Sequence, residues 1–351
     1  MELGNKIKTL RLRAGMTQEM LAEEMGVSFQ TISKWENNIC APDVSMLPKL
    51  SVYFGVTIDE LFDMTAAQRL HRIENMLDME QELPHSTFVE TEDFLLEQLE
   101  GEQEKSIIYN FLAHLYHHRM SSDSDKVDKY ARKALQMNPD IQNCHWLFVK
   151  SKGAAICDWN VRNHHSVITF YKELIEKNPN ATRNYLELLD NLLADNRSVE
   201  AADYLARYKK LENHKEFQIF VYEARIALCQ HNIALANQKM EELEKCFPED
   251  SGAMFELANY HASQCEYSKA IAYYEKSFEM DKQQGKKPLF TDALEGMAII
   301  YEIQEKYAEA VKCYDRILEV LDKEFGFTEG EPVRAVMVER QRLMEKSYST
   351  N

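Results

Sequence analysis

Gln30, Thr31, Ser33 and Lys34 place an amide, two hydroxyls and an ammonium within residues 30–34. On one helix they make a polar face, and such groups can reach base edges and phosphates in the major groove of duplex DNA. Gln30 suits the paired hydrogen bonds of adenine, and Lys34 suits guanine or a phosphate. The face is useful only if the other side of its helix is anchored, and Ile32 and Trp35 are expected to point inward. Upstream, Thr17 can cap a preceding helix whose Leu21, Ala22 and Met25 lie on one side. Gly26 can take the left-handed conformation that ends it, Val27 tucks into the core, and Ser28 caps the polar helix. Residues 17–36 therefore predict two short helices joined by a tight turn.

The flanks extend the pattern. Leu3 to Ala14 is amphipathic, with Ile7 and Leu10 apolar, and the stretch from Pro42-Asp43 through Leu47, Leu50 and Phe54-Gly55-Val56 follows. Pro48 is tolerated only in a first turn, so a fourth helix is expected to start near Ser45. Thr57 and Glu60 form a capping box that opens a fifth helix, in Thr57-Ile58-Asp59-Glu60-Leu61-Phe62. Residues 1–64 thus resemble the Cro/repressor (xenobiotic-response-element) family of helix-turn-helix proteins. The resemblance implies a five-helix, all-α DNA-binding domain. It implies that Gln18, Ser28 and Asn37 contact the DNA backbone, and that Gln30, Thr31, Ser33 and Lys34 enter the groove. Phe29 departs from the family's frequent polar residue, and it fits either a thymine methyl or cover over the backbone. Arg11 and Glu36 match an internal salt bridge and belong to the architecture. The alternative for the polar face is an ordinary solvated helix surface.

Charge restrains this reading. The chain of 351 residues has a formal net charge of -17, and its first 50 residues balance six Lys/Arg against six Asp/Glu. Non-specific DNA affinity comes mainly from neutralised phosphates and released counterions. A neutral head on an acidic body points to a selective, dimeric reader of an operator, and excludes a DNA-coating protein. Low Gly and Pro content and 28% charged residues suit a helical protein. Met1 to Leu12 does not look like a signal peptide, no apolar run approaches a membrane span, and seven scattered cysteines without a CxxC fit reduced thiols. A cytoplasmic protein without a membrane partner is expected.

Residues 65–104 read as a helical connector. Ala66 to Gln81 carries Leu70, Ile73 and Leu77 on one side, Pro84 stops it, and a second helix carries Phe94, Leu95 and Leu99 until Glu100-Gly101-Glu102. The stripe either docks on the next domain or dimerises.

From residue 105 the chain repeats itself. Tyr-Ala-Arg-Lys-Ala-Leu-Gln-Met-Asn-Pro at 130–139 and Phe-Tyr-Lys-Glu-Leu-Ile-Glu-Lys-Asn-Pro at 170–179 are one helix pattern written twice. Small residues early in each second helix, Val127, Val167, Ala201, Ala236, Ala270 and Ala310, are separated by 40, 34, 35, 34 and 40 residues. First helices answer with Ala113 and Tyr116, Tyr185 and Leu188, Phe220 and Ala224, Leu257 and Ala258, and Ala298 and Tyr301. The period resembles that of the tetratricopeptide-repeat (TPR) family, which implies an α-solenoid of about six stacked pairs over residues 105–322. A capping helix with Val333, Val336, Met337, Arg340 and Leu343 is expected within 323–351.

A curved helical array suits an extended peptide or partner helix. Its groove is expected to carry Asn110, His114, His118, Arg225 and Asn259, where Asn can clamp a peptide backbone and Arg225 a carboxylate. Plain solvated polar residues are the alternative. His114, His117, His118, Cys144, His145, Cys157, His164 and His165 are zinc-ligand types, but without paired short spacings; no metal or cofactor is expected. Trp146, Phe148, Trp159 and Phe170 read as core. Phosphate loops, dinucleotide loops, zinc-protease motifs and nucleophile elbows are absent, so no enzyme is expected. The two resemblances together imply a transcription regulator similar to the bacterial quorum-sensing peptide receptors. It would bind an operator, an inverted repeat in double-stranded DNA, as a homodimer, with a signalling peptide or partner protein in the groove. The alternative is a TPR-type interaction scaffold tethered to DNA.

Overall fold

The computed structural model describes residues 3–62, 65–101 and 104–349. Met1, the expected boundaries at residues 64 and 351, and Glu102 lie outside them. The described chain is all-α. It divides into two compact units, Met1–Arg119 and Met120–Asn351.

In the first unit α1 (Leu3–Arg13), α2 (Gln18–Met25), α3 (Phe29–Glu36), α4 (Leu47–Phe54) and α5 (Ile58–Leu61) surround a core that includes Ile7, Leu21, Ile32, Trp35, Leu50 and Leu61. Local chemistry sets each end. Thr17 accepts from the Met20 N–H, and Gly26 closes α2 at φ 71°. Pro48 sits in the first turn of α4, behind a short 3-10 turn at Val44–Met46. The Thr57–Glu60 capping box is present in both directions, at 3.2 and 2.6 Å. Gly4 lets α1 touch α3: an added Cβ would stand 1.8 Å from the Trp35 carbonyl oxygen. Helices α6 (Ala66–Met79) and α7 (His85–Gln98) bury Leu70, Ile73, Phe88, Phe94 and Leu95 against Ile108 and Leu115 of the next helix.

That next helix, α8, runs unbroken over Lys105–Met137. The sequence pattern predicts a pair here, with Ala113 and Val127 on separate helices. The link between them, His117-His118-Arg119-Met120-Ser121-Ser122-Asp123, holds neither Gly nor Pro, and nothing in it forces a turn. The first expected repeat is therefore one continuous helix.

The second unit adds α9 (Gln142–Ser151), α10 (Trp159–Arg162) and α11 (His165–Lys177). Four regular pairs follow: α12 (Thr182–Ala194) with α13 (Ser198–Tyr208), and α14 (Glu216–Cys229) with α15 (Ile233–Cys246). The others are α16 (Ser251–Ser263) with α17 (Tyr267–Gln283), and α18 (Asp292–Ile303) with α19 (Tyr307–Phe325). Ala201, Ala236, Ala270 and Ala310 are all fully buried, which lets each second helix lie close on its partner. Each tight turn puts one non-glycine residue, Asn196, His231, Cys265 or Glu305, at φ 57–59°. The capping helix α20 (Glu331–Ser349) docks through Val333 and Leu343, while Met337 stays 54% exposed.

The repeats fade toward their start. Val127 and Val167 are 37% and 39% exposed, so neither plays the part of the buried alanines. Trp146, Trp159 and Phe170 are also exposed, against the expectation of core, and Phe148 is half-buried. The helix α9, with Trp146 and Phe148, and the short α10, with Trp159, bury none of their residues fully, while α11 buries Ile168 and Ile175 and leaves Phe170 outside.

Candidate nucleic-acid interface

The helix α3 is held from behind. Ile32 and Trp35 are buried in the core, and Glu36 is buried with them. Arg11 meets both Glu36 carboxylate oxygens, Nε to Oε1 at 2.6 Å and Nη2 to Oε2 at 2.9 Å. Its third contact, Nη1 to the Met16 carbonyl at 2.6 Å, ties the pair to the turn before α2. Gln18 Nε2 also donates to Glu36, at 2.7 Å. Burial pushes the Glu36 carboxyl up, but hydrogen bonds from Arg11 and Gln18 and the guanidinium charge hold it below the usual range. The hydrogen bond to Glu36 raises Arg11 in turn. A buried, doubly bonded ion pair fixes where α3 lies.

The outer side of α3 follows from its period. Gln30, Ser33, Lys34 and Asn37 stand at i, i+3, i+4 and i+7, and so share one face. Gln30, Lys34 and Asn37 are exposed and Ser33 is half-buried. Thr31 lies beside this row and turns its hydroxyl to Ser28 Oγ at 2.8 Å. Ser28 accepts from the Thr31 N–H, which leaves an N-terminal turn suited to an anion. The Asn37 amide donates to the Ser33 carbonyl at 2.8 Å. Phe29 is 46% exposed at the head of the helix, a free apolar edge. Gln18 is half-buried, and its amide N–H is directed to Glu36.

The expected groove residues fall in different units. Asn110 and His114 are exposed on α8, and His118 contacts the Glu80 carbonyl at 2.6 Å. Of the five, Arg225 and Asn259 belong to the second unit. Arg225 Nη1 donates to Asp190 Oδ1 at 2.5 Å, and Asp190 also accepts from the Tyr222 hydroxyl at 3.0 Å. Asn259 Oδ1 accepts from the Tyr274 hydroxyl at 2.5 Å. Both are half-buried members of a polar row on the first helices of successive pairs. Among the described residues, no group of three or more His, Cys, Asp or Glu is placed to hold a metal ion. No described helix is long and apolar enough to cross a membrane.

A family model described as helix-turn-helix matches residues 7–61. Over 58 residues the chain is 40% identical to an uncharacterized HTH-type transcriptional regulator of Methanocaldococcus jannaschii, covering 16% of this chain and 88% of that one. The chain belongs to the HTH-type transcriptional regulators. This HTH-type regulator is also 38% identical over 81 residues to the HTH-type transcriptional activator BcrR of Enterococcus faecalis. That match covers 23% of this chain, which spans only 40% of the length of BcrR. Among solved structures, Bacillus thuringiensis PlcR in complex with the peptide PapR7 and DNA aligns over 97% of this chain and 98% of its own. Identity there is 15% and the TM-score 0.26.

Sequence reasoning placed the polar face of this HTH-type regulator but missed the half-buried Glu256 and Gln218 beside the Arg225–Asn259 row. Gln218 Nε2 reaches Glu256 Oε1 at 3.5 Å across 38 residues, and no local spacing marks such a pair.

Proposed function

We propose that the chain is a sequence-specific, DNA-binding transcriptional regulator, acting as a cytoplasmic homodimer on an inverted-repeat operator. Its head ends near residue 64, and the repeats that follow receive a peptide or protein signal. The observation that carries the reading is the row Gln30, Ser33, Lys34 and Asn37 on one outward face of α3, backed by the buried Arg11–Glu36 pair. A face so rigidly supported suits base readout, since groove contacts lose discrimination when their helix can shift. The half-buried polar row through Arg225 and Asn259 supports a ligand groove, and a ligand acts by binding two arrangements of the protein unequally.

Selection of bound duplexes from a random library identifies the operator, and fluorescence anisotropy then measures affinity. Gln30→Ala and Lys34→Ala are each expected to weaken operator binding about tenfold or more with an unchanged circular dichroism spectrum. Unchanged affinity in both variants means that another face reads the DNA. Adding culture-medium peptides separates sensing from scaffolding: sensing shifts operator affinity, and a scaffold leaves it alone.

A further inference from the structure

Within the second unit the starts of α14, α16 and α18 border a cleft of about 700 Å³. Phe217, Phe247, Phe255 and Phe290 line it, and Phe290 is 63% exposed. Gly252 lets this aromatic wall close up: a Cβ there would lie 3.2 Å from the Phe217 ring. The same cleft is lined by Glu256, half-buried and held by Gln218 at 3.5 Å. Lys215 also lines the cleft, its ammonium 6.0 Å from the Phe217 ring centroid, and the other nearby cations are already paired. Arg225 pairs with Asp190 at 2.5 Å, and Lys286 pairs with Asp281 at 2.7 Å and reaches Ser251 Oγ at 2.5 Å. Among the described residues no lysine or arginine pairs with Glu256. A carboxylate taken partly out of water and held by amide donors has no directly bonded cation, and Arg225 acts on it only through space. Burial accordingly pushes the Glu256 carboxyl up.

We infer that this cleft takes a primary ammonium carried on an apolar body, the ammonium meeting Glu256 and the apolar part lying on the phenylalanine rings. Phenyl faces attract cations as well as apolar groups, so both halves of the ligand find complementary surface. The acidic body, at -17, draws a cationic ligand in from solution. The inference rests on the reading of the repeats as a ligand groove and names the ligand's chemistry. A lysine side chain and a free peptide N-terminus both supply the group.

The test uses isothermal titration of the full chain with three tripeptide amides. N-acetyl-Phe-Leu-Lys-amide carries a side-chain ammonium, Phe-Leu-norleucine-amide a terminal one, and N-acetyl-Phe-Leu-norleucine-amide none. At least one cationic probe is expected to bind about tenfold tighter than the neutral one, and whichever does identifies the source of the ammonium. Glu256→Gln keeps the shape and is expected to abolish that preference, while Phe290→Ala weakens all binding. Equal binding of all three probes, or a preference that survives Glu256→Gln, overturns the charge assignment and leaves the groove reading standing. Absence of binding by every probe overturns both.

Discussion

A guanidinium and a carboxylate, buried together at 8% and 1% side-chain exposure, fix the register of α3 against α1. Such a pair need not stabilise the fold relative to an apolar pair of the same size, but breaking it is costly because one charge remains buried alone. Glu36→Gln is expected to destabilise the head by about 3–5 kcal/mol, read as a lowered thermal midpoint and a loss of operator binding. The pH dependence has a definite sign. The Glu36 carboxyl titrates lower in the folded chain than in the unfolded one. Its contribution is therefore complete above the unfolded value and fades as pH falls through the folded one. The gap in stability between the native chain and Glu36→Gln should shrink on acidification across that interval. A gap that stays constant with pH would mean that Glu36 is not ionised in its pocket.

At the scale of elements, the repeats combine a regular interior with strained turns. Each of Asn196, His231, Cys265 and Glu305 adopts the left-handed region at the same place in its pair. A non-glycine residue there costs about 1–2 kcal/mol, and glycine recovers part of this against its own loss of chain entropy. Cys265→Gly should stabilise the repeats by about 0.5–1 kcal/mol, measured by urea unfolding, and a destabilised variant would sink this account of the turns. The last interface adds ion pairs to the buried Val333 and Leu343. Arg342 meets Glu302 twice, at 2.6 and 2.7 Å, and Lys346 adds a third contact at 2.9 Å. These contacts, Arg342's hydrogen bonds foremost, lower the Glu302 carboxyl to about 2. Its stabilisation is full above the ordinary value near 4.5 and is lost between there and about 2. Glu302→Gln should cost about 1–2 kcal/mol at neutral pH, after solvent screening, and nearly nothing near pH 2. Thermal unfolding at both pH values checks this. The alanine spacing made the four regular pairs legible in the sequence, because a close helix crossing accepts only small side chains. The turn residues were not legible, since Asn, His, Cys and Glu share no chemistry that marks a left-handed position. The unbroken α8 was missed because its Ser/Asp-rich middle resembles a turn in composition but contains no residue that stops a helix. The polar groups of Gln30, Thr31, Ser33 and Lys34 were visible because they lie within one helix, whereas the cleft joins residues from 217 to 290 that only the fold brings together.

For the whole molecule, the balance of charge decides how the regulator searches DNA. Six basic residues lie in the first 50, and Arg11 is consumed by Glu36, so five at most remain per head. Lys34 is the basic residue on the outward row of α3, and the carboxylates of Glu23 and Glu24 are exposed on α2. Each phosphate neutralised adds about 0.9 to the slope of log affinity against log salt. In the proposed homodimer, two heads that neutralise about two phosphates each would give a slope near -4, or roughly a 10²-fold loss of operator affinity between 50 and 200 mM salt. Competition by random-sequence duplex should be weak throughout, because an acidic body repels the backbone that a basic one would attract. Anisotropy titrations with the selected operator over that salt range supply the slope. A slope steeper than about -9, the most that the five remaining cations on each of two heads can give, would place cations from outside the head on the DNA and overturn the view that the heads alone meet the backbone.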